Sequence, residues 1–268
     1  MAESFDRARF TARLATSRVG RALVVRDVTG STNDDAWEAL GSLGDGAAVL
    51  ALDQTAGRGR AGRTWTQVPG RGLALSVALR LGCDVRQAGI IPLAAGLAVV
   101  QAVHALGVPA ARLKWPNDVL VEGRKLAGLL CEVRRAAGGG EAVVIGIGLN
   151  VAHTREEWPE DLRESATSLA LQGVTVGLEE AAAEVLNRLE PLWAELQEGD
   201  RGAVMAEWTR WGAHWGQWIT VRTPSGPVHG TALRLDPDGG LVLRTAEGPE
   251  LTVWAGDVHS SKEGCDAV

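Results

Sequence analysis

The chain has 268 residues, 46% of them hydrophobic, and a net charge of −6; that is enough for a full core and for one large domain with a small one beside it. No apolar run reaches the roughly 20 residues that span a bilayer, and Met1-Ala2-Glu3-Ser4-Phe5-Asp6 lacks the charged-then-apolar layout of a signal peptide. Three widely spaced cysteines (Cys83, Cys131, Cys265) suggest neither a disulfide framework nor a zinc site, so a reducing cytoplasm fits best, and the acidic balance argues against a nucleic-acid polymer as ligand.

The first 20 residues hold one short helix, with Phe10 and Leu14 at helical spacing. Residues 22–28 read as a strand. A helix follows from about Gly30 to Leu43, where Thr32 and Asp35 match a capping box. Residues 47–54 form a strand that runs into Gly57-Arg58-Gly59-Arg60-Ala61-Gly62-Arg63-Thr64-Trp65. Three arginines alternating with three glycines make that stretch too flexible for helix or strand and too charged to be buried alone. Forked guanidiniums on such a backbone suit the wrapping of an anion. Residues 72–81 are the strand after it, and 91–106 an apolar helix with Pro92 in its first turn, on which His104 reads as a half-buried helix residue rather than a catalyst.

Residues 119–121 and 125–133 flank Glu122-Gly123-Arg124 as a hairpin, and 142–151 form a buried strand. Helices over 178–197, with Pro191 a point for a kink, and over 203–211 follow. Near Ala213 the texture changes to short alternating strands (218–221, 228–236, 240–244, 250–253) broken by Pro-Ser-Gly, Asp-Gly-Gly and Glu-Gly-Pro turns. A small β-barrel is expected there, with Trp218 and Trp254 in its core, giving domains 1–213 and 214–268.

Gly57-x-Gly59-x-x-Gly62 formally matches a dinucleotide fingerprint, but Arg-Thr-Trp follows it instead of an apolar helix. A P-loop, a Gly-x-Ser-x-Gly elbow and a His-rich metal cluster are all missing from the sequence. What remains is electrostatic: arginines and a lysine can hold a carboxylate beside a phosphate and spread the charge of a phosphoryl transition state.

Five motifs in one order carry a resemblance. They are Ser31-Thr32-Asn33; Gln54 through Trp65; Lys114-Trp115-Pro116-Asn117-Asp118; Lys125-Leu126-Ala127-Gly128-Leu129-Leu130-x-Glu132; and Gly146-Ile147-Gly148-Leu149-Asn150-Val151. Together they resemble biotin protein ligase over about residues 22–258. The resemblance implies an α+β fold: a mixed β-sheet with helices mainly on one face, plus a small SH3-like β-barrel. It implies a ligase that uses ATP to make biotinyl-5′-AMP, with Mg²⁺, and transfers biotin to a lysine of the biotin carboxyl carrier domain of a carboxylase. Ser31, Thr32, Asn33 and Gln54 would face biotin's ureido ring, assisted by the backbone of Gly57 and Arg58. Arg58, Arg60 and Arg63 would close over biotin and phosphate, Trp65 would wall the pocket, and Lys125 would bridge carboxylate and α-phosphate. Gly128, Gly146 and Gly148 would let ligand lie on the sheet. Asn117 and Asn150 would lie toward the nucleotide, with Asp118 the metal ligand, and residues 153–169 would form a loop over adenine. A lipoate or octanoyl transferase of the same fold and a non-catalytic biotin-responsive regulator are the alternatives. About 20 residues before the first strand are too few for a DNA-binding three-helix module, so DNA and membrane are not expected partners; a homodimer is left open.

Overall fold

The structure, a computed structural model, describes residues 5–82, 89–136 and 139–260. Cys83 and Cys265 lie outside them.

After α1 (Arg7–Arg13) come β1 (Leu23–Thr29), α2 (Thr32–Leu43), β2 (Ala48–Gln54) and β3 (Gly72–Leu81). Then α3 (Ile91–Ala105) leads to β4 (Arg112–Lys114), β5 (Asp118–Val121), β6 (Arg124–Arg135) and β7 (Glu141–Asn150). Helices α4 (Leu178–Gln197) and α5 (Gly202–Trp211) precede β8 (Trp218–Thr223), β9 (Gly226–Leu235), β10 (Leu241–Arg244), β11 (Glu250–Val253) and β12 (Asp257–Ser260). The first seven strands form one sheet in the order β1-β2-β3-β7-β6-β5-β4. Only β1 and β2 run parallel, because α2 carries the chain between them as a crossover; the sheet is therefore mixed.

Alternation along the central strands separates two faces. Leu50 and Leu52, Leu73 to Leu79, and Val143 to Leu149 turn to a large core shared with α1, α3 and α4. Nearly every residue of α3 is buried, so it has no polar face to present to water. Val49, Ala78, Ala142 and Val144 face the other way, against Ala36, Ala39 and Leu40 of α2. Among the described residues that second face carries one helix, α2, and leaves the sheet open beyond its first turn. Helices thus lie mainly on one face, as expected, and α4 runs continuously through Pro191.

The second sheet, β11-β10-β9-β8-β12, is antiparallel throughout and consistent with an SH3-like barrel. It joins the main core: Trp115, buried in the turn between β4 and β5, donates its indole N–H to the carbonyl of Gly239 at 3.0 Å. One expectation fails here. Trp218 is 42% exposed and Trp254 60% exposed. With a side-chain period of two, Ile219 and Val221 take the inward positions of β8 and turn Trp218 outward. Trp254 lies beyond the end of β11 and packs over Gly240, where a Cβ would come 3.1 Å from its ring.

Candidate active site

The floor of the site is a patch of sheet with glycine at three adjoining positions. Gly148 on β7 stands opposite Ala74 on β3 and Gly128 on β6, and Gly146 stands opposite Ser76 and Leu130. All of these are on the open face. The two rows are separated by two residues along the strands, which is about 7 Å. Neighbouring groups fill the missing space. A methyl on Gly146 would lie 3.0 Å from Asn33 Cγ; one on Gly148 would lie 2.8 Å from Trp65 Cδ2, with other ring atoms closer still. Gly128 is bounded by Lys125 Cε at 2.8 Å and Trp65 Cζ3 at 3.1 Å on the same test.

Over the Gly146 row sits the first turn of α2. The expected capping box is absent, since Ser31 is the cap residue and makes no side-chain cap bond. The Thr32 N–H donates to Gln54 Oε1 at 2.9 Å, and its hydroxyl lies 3.2 Å from the same oxygen. The buried Ser76 hydroxyl is 2.7 Å from both Thr32 Oγ1 and Asn33 Oδ1. Because Asn33 Oδ1 can only accept, Ser76 gives its single proton there. The Asn33 amide N–H in turn donates to Glu132 Oε2 at 3.0 Å. Ser31, Thr32 and Asn33 are each at most 5% exposed, so this turn is a rigid wall of neutral polar groups.

Over the Gly148 row lie Trp65 and Lys125, while Arg58 reaches Glu132 on the far side of the Gly146 row. Lys125 Nζ is 2.7 Å from Asp118 Oδ1 and 5.6 Å from the Trp65 ring centre. The arginine stretch has a definite shape. It closes on itself through a bridge between Arg58 and Thr64 and a 3₁₀ turn over Arg60–Gly62, with Ala61 at φ +54°. Gly57 sits at its root, outside the cleft lining; its carbonyl accepts from Trp65 N–H at 2.9 Å, and a Cβ there would meet Trp65 O at 2.5 Å. Arg58 forks onto Asp34 at 2.6 and 2.8 Å. The pair pulls the Asp34 carboxyl below its ordinary range and raises Arg58, chiefly through that hydrogen bond. Arg60 donates to Asn117 Oδ1 at 3.0 Å, while Asn117 donates to Leu129 O. Arg63 pairs with Asp257 of β12 at 2.8 Å, so the loop is tied to the barrel.

These elements enclose a cleft of about 660 Å³, open solvent at its mouth included. Its lining contains Ser31, Thr32, Asn33, Gln54, Arg58, Arg60, Arg63, Trp65, Asn117, Lys125, Gly128, Gly146 and Gly148. Among the residues named from sequence, Gly57, Asp118 and Asn150 are not in that lining. Asn150 is buried and its amide donates to the carbonyls of Lys125 and Thr167, pinning residues 165–167 beside the start of β6. Asp118 is occupied by Lys125. Among the described residues no group of three or more His, Cys, Asp or Glu could hold a metal ion. The residues present therefore do not fit a protein-held Mg²⁺ cage, which needs several oxygen donors in octahedral array.

Residues 25–150 match the Biotin/lipoate A/B protein ligase family, and residues 214–259 match the Biotin protein ligase C terminal domain. The biotin–[acetyl-CoA-carboxylase] ligase of Mycobacterium tuberculosis is 39% identical over 246 residues, covering 89% of this chain and 88% of that protein. The chain belongs to the biotin protein ligase family. The bifunctional ligase/repressor BirA of Bacillus subtilis is 32% identical over 248 residues, covering 92% of this chain and 76% of that protein. A biotin protein ligase of Aquifex aeolicus, solved with biotin and ATP, superposes with a TM-score of 0.77 at 26% identity, over 89% of this chain and 98% of that one.

Within that family frame, three polar residues that hold the cleft's lining were missed by sequence reasoning. Ser76 had a signal, as the lone hydroxyl in an otherwise apolar strand core. Glu132 lay inside a quoted motif without a role. Asp34 read as a helix first-turn acid, and nothing local marks it as a partner of Arg58, 24 residues on.

Proposed function

We propose that the chain activates biotin with ATP and joins it to a lysine of a carboxylase's biotin carboxyl carrier domain. The observation that carries this reading is the two-part lining over a bare floor. Neutral hydrogen-bonding groups stand over the Gly146 row, and Lys125 stands over the Gly148 row. A ligand with a polar uncharged head and a carboxylate tail, lying flat on the sheet, matches that order of chemistry. Family membership selects biotin from the acids of this shape.

Ser31, Thr32 and Gln54 would bind the ureido head, with Asn33 held rigid behind them. Lys125 stands where the tail carboxylate would meet the nucleotide. Its charge offsets the repulsion between carboxylate and phosphate while a carboxylate oxygen attacks the α-phosphorus and pyrophosphate leaves. In the second step the carrier lysine's neutral amine attacks the acyl carbon, AMP departs with the acyl–oxygen bond electrons, and the amine loses its proton to give an amide. Holding both partners in one cleft supplies much of the acceleration. Arg58, Arg60 and Arg63 would cover the phosphates, with Asn117 orienting Arg60. Mg²⁺ would enter with the phosphates, since it keeps most of its waters in nucleotide sites. We also propose the division into 1–213 and 214–268, supported by the separate family match at 214–259. No helix among the described residues is long and apolar enough to cross a membrane, which supports a cytoplasmic setting. A homodimer is compatible with the same chemistry.

The test is ATP–pyrophosphate exchange with biotin, lipoate and octanoate in parallel. Exchange that requires biotin is expected. Exchange driven by lipoate or octanoate, and not by biotin, would overturn the reading.

A further inference from the structure

Arg58 is the cleft's most heavily engaged cation. Asp34 takes the edge formed by Nη1 and Nη2 in a two-pronged contact at 2.6 and 2.8 Å. Glu132 Oε2 stands 3.5 Å from Nη2 on the other side. A guanidinium has two edges on which it can grip a phosphate with two parallel bonds, and Nη2 belongs to both. With one edge filled and the other crowded at Nη2, Arg58 cannot offer a clean fork to an anion until one carboxylate lets go.

The two carboxylates differ in what holds them. Glu132, 24% exposed on β6, is fixed by the Asn33 amide at 3.0 Å and flanked by Arg134 at 3.7 Å. Asp34 is 55% exposed, and among the described residues its side chain has no hydrogen-bond partner besides Arg58. Asp34 can return to water at little cost and Glu132 cannot. We infer that Asp34 is a built-in competitor for the anionic part of the ligand: its carboxylate holds the Arg58 fork, and a nucleotide phosphate must displace it to bind. Asp34 is thus a positioning residue that lowers nucleotide affinity and keeps Arg58 at the cleft mouth. The inference rests on the nucleotide site proposed above.

The test compares wild type, Asp34→Asn and Asp35→Asn. Asp35 shares the first turn of α2 and the same helix dipole, but it pairs with Arg26 at 3.4 Å. ATP is titrated calorimetrically into each protein, and KM and kcat are measured by biotin-dependent pyrophosphate exchange. Asp34→Asn should lower both Kd and KM for ATP by about two- to fivefold, the range of a partly exposed ion pair, with kcat within about twofold. Asp35→Asn should leave them unchanged. In an Arg58→Gln background, Asp34→Asn should have no effect on ATP. An unchanged or raised Kd in Asp34→Asn would overturn the inference, as would the same gain in Asp35→Asn or its persistence without Arg58. Wild type that binds ATP but shows no biotin-dependent exchange defeats the biotin reading alone, and calorimetry then decides the competition. Absence of ATP binding in wild type defeats both.

Discussion

Gly148→Ala tests the bare floor directly. A methyl at this position would come 2.8 Å from Trp65 Cδ2 and nearer to two other atoms of the ring. Ordinary carbon contacts are about 3.5–4.0 Å, so the indole must retreat by about 1 Å or more. Trp65 Cζ3 lies 3.1 Å from where a Cβ on Gly128 would stand, so one ring spans both glycines. The ring also carries Lys125 Nζ over it at 5.6 Å, and its own backbone N–H closes the root of the arginine loop on Gly57 O. One methyl therefore disturbs the wall, the lysine and the loop root together. Displacing catalytic groups by about 1 Å can cost on the order of 10²-fold, so kcat/KM for biotin in pyrophosphate exchange should fall by roughly that factor, or about 2.7 kcal/mol. Because Trp65 sits on a loop rather than in the core, the melting temperature should change far less than for a buried overpacking mutation of about 1–3 kcal/mol. Adding Trp65→Leu should return part of the lost activity by reopening space. A Gly148→Ala enzyme with wild-type kcat/KM would refute the argument, since the clash is then relieved without moving anything that matters.

Lys125→Ala should slow adenylate formation about 10²–10³-fold while the fold persists; near-normal exchange would remove Lys125 from the reaction. Arg60 joins the loop to Asn117 and to the carbonyl of Gly256, so Arg60→Gly should still form biotinyl-5′-AMP but release it early. Serum albumin mixed with that variant, biotin and ATP should become biotinylated on a blot, and clean albumin beside measurable adenylate would count against the role. His153 is wholly buried, stacked on Trp158 at 5.0 Å, and accepts the Val68 N–H through Nε2 at 3.2 Å. Burial pushes its pKa down to about 4, so it is neutral in the folded protein. The unfolded chain binds that proton below about pH 6.5, so this stability is present above 6.5 and is lost as pH falls toward 4. Chemical denaturation at pH 7.5 and 4.5 should show wild type losing about 2.5 kcal/mol more than His153→Gln; equal losses would mean the imidazole titrates normally.

Much of this architecture could be read before any coordinates, because its long elements obey simple periodicities. The strand Gly72–Leu81 and the helix Leu178–Gln197 fall at their expected bounds, since a largely apolar run of 10 residues and an amphipathic pattern of 20 leave little choice of register. The short strands were another matter. Arg112–Lys114 has one apolar residue between two cations, and Asp257–Ser260 has Val258 alone, so neither carries a pattern of its own. Both exist because longer neighbours pair with them. Thr32 shows the same limit at the site. Ser-Thr-Asn-Asp at the start of a helix reads as a cap, and Gln54 and Ser76, 22 and 44 residues away, divert the hydroxyl. The tryptophans at 218 and 254 read as core because their sequence neighbours are apolar, while position along the strand decides their exposure. Motif resemblance found the cleft's cations, but it could not find the acids that hold them, because an ion pair such as Arg58–Asp34 leaves no spacing signal.

The bond from Arg63 to Asp257 spans 194 residues of sequence. During synthesis the ribosome therefore releases every residue of the cleft floor long before it releases the strand that fastens the cover. A nascent chain, or one clipped by a protease before β12, would keep Ser31, Gln54, Lys125 and the three floor glycines yet lack Asp257, which moors Arg63 to the barrel. Such a fragment should bind the small acid while failing to shield what it makes from water, so truncation would turn a careful enzyme into a wasteful one before it made it an inactive one. Carboxypeptidase trimming followed in time, with adenylate hydrolysis and biotin binding measured on the same samples, would separate those two losses.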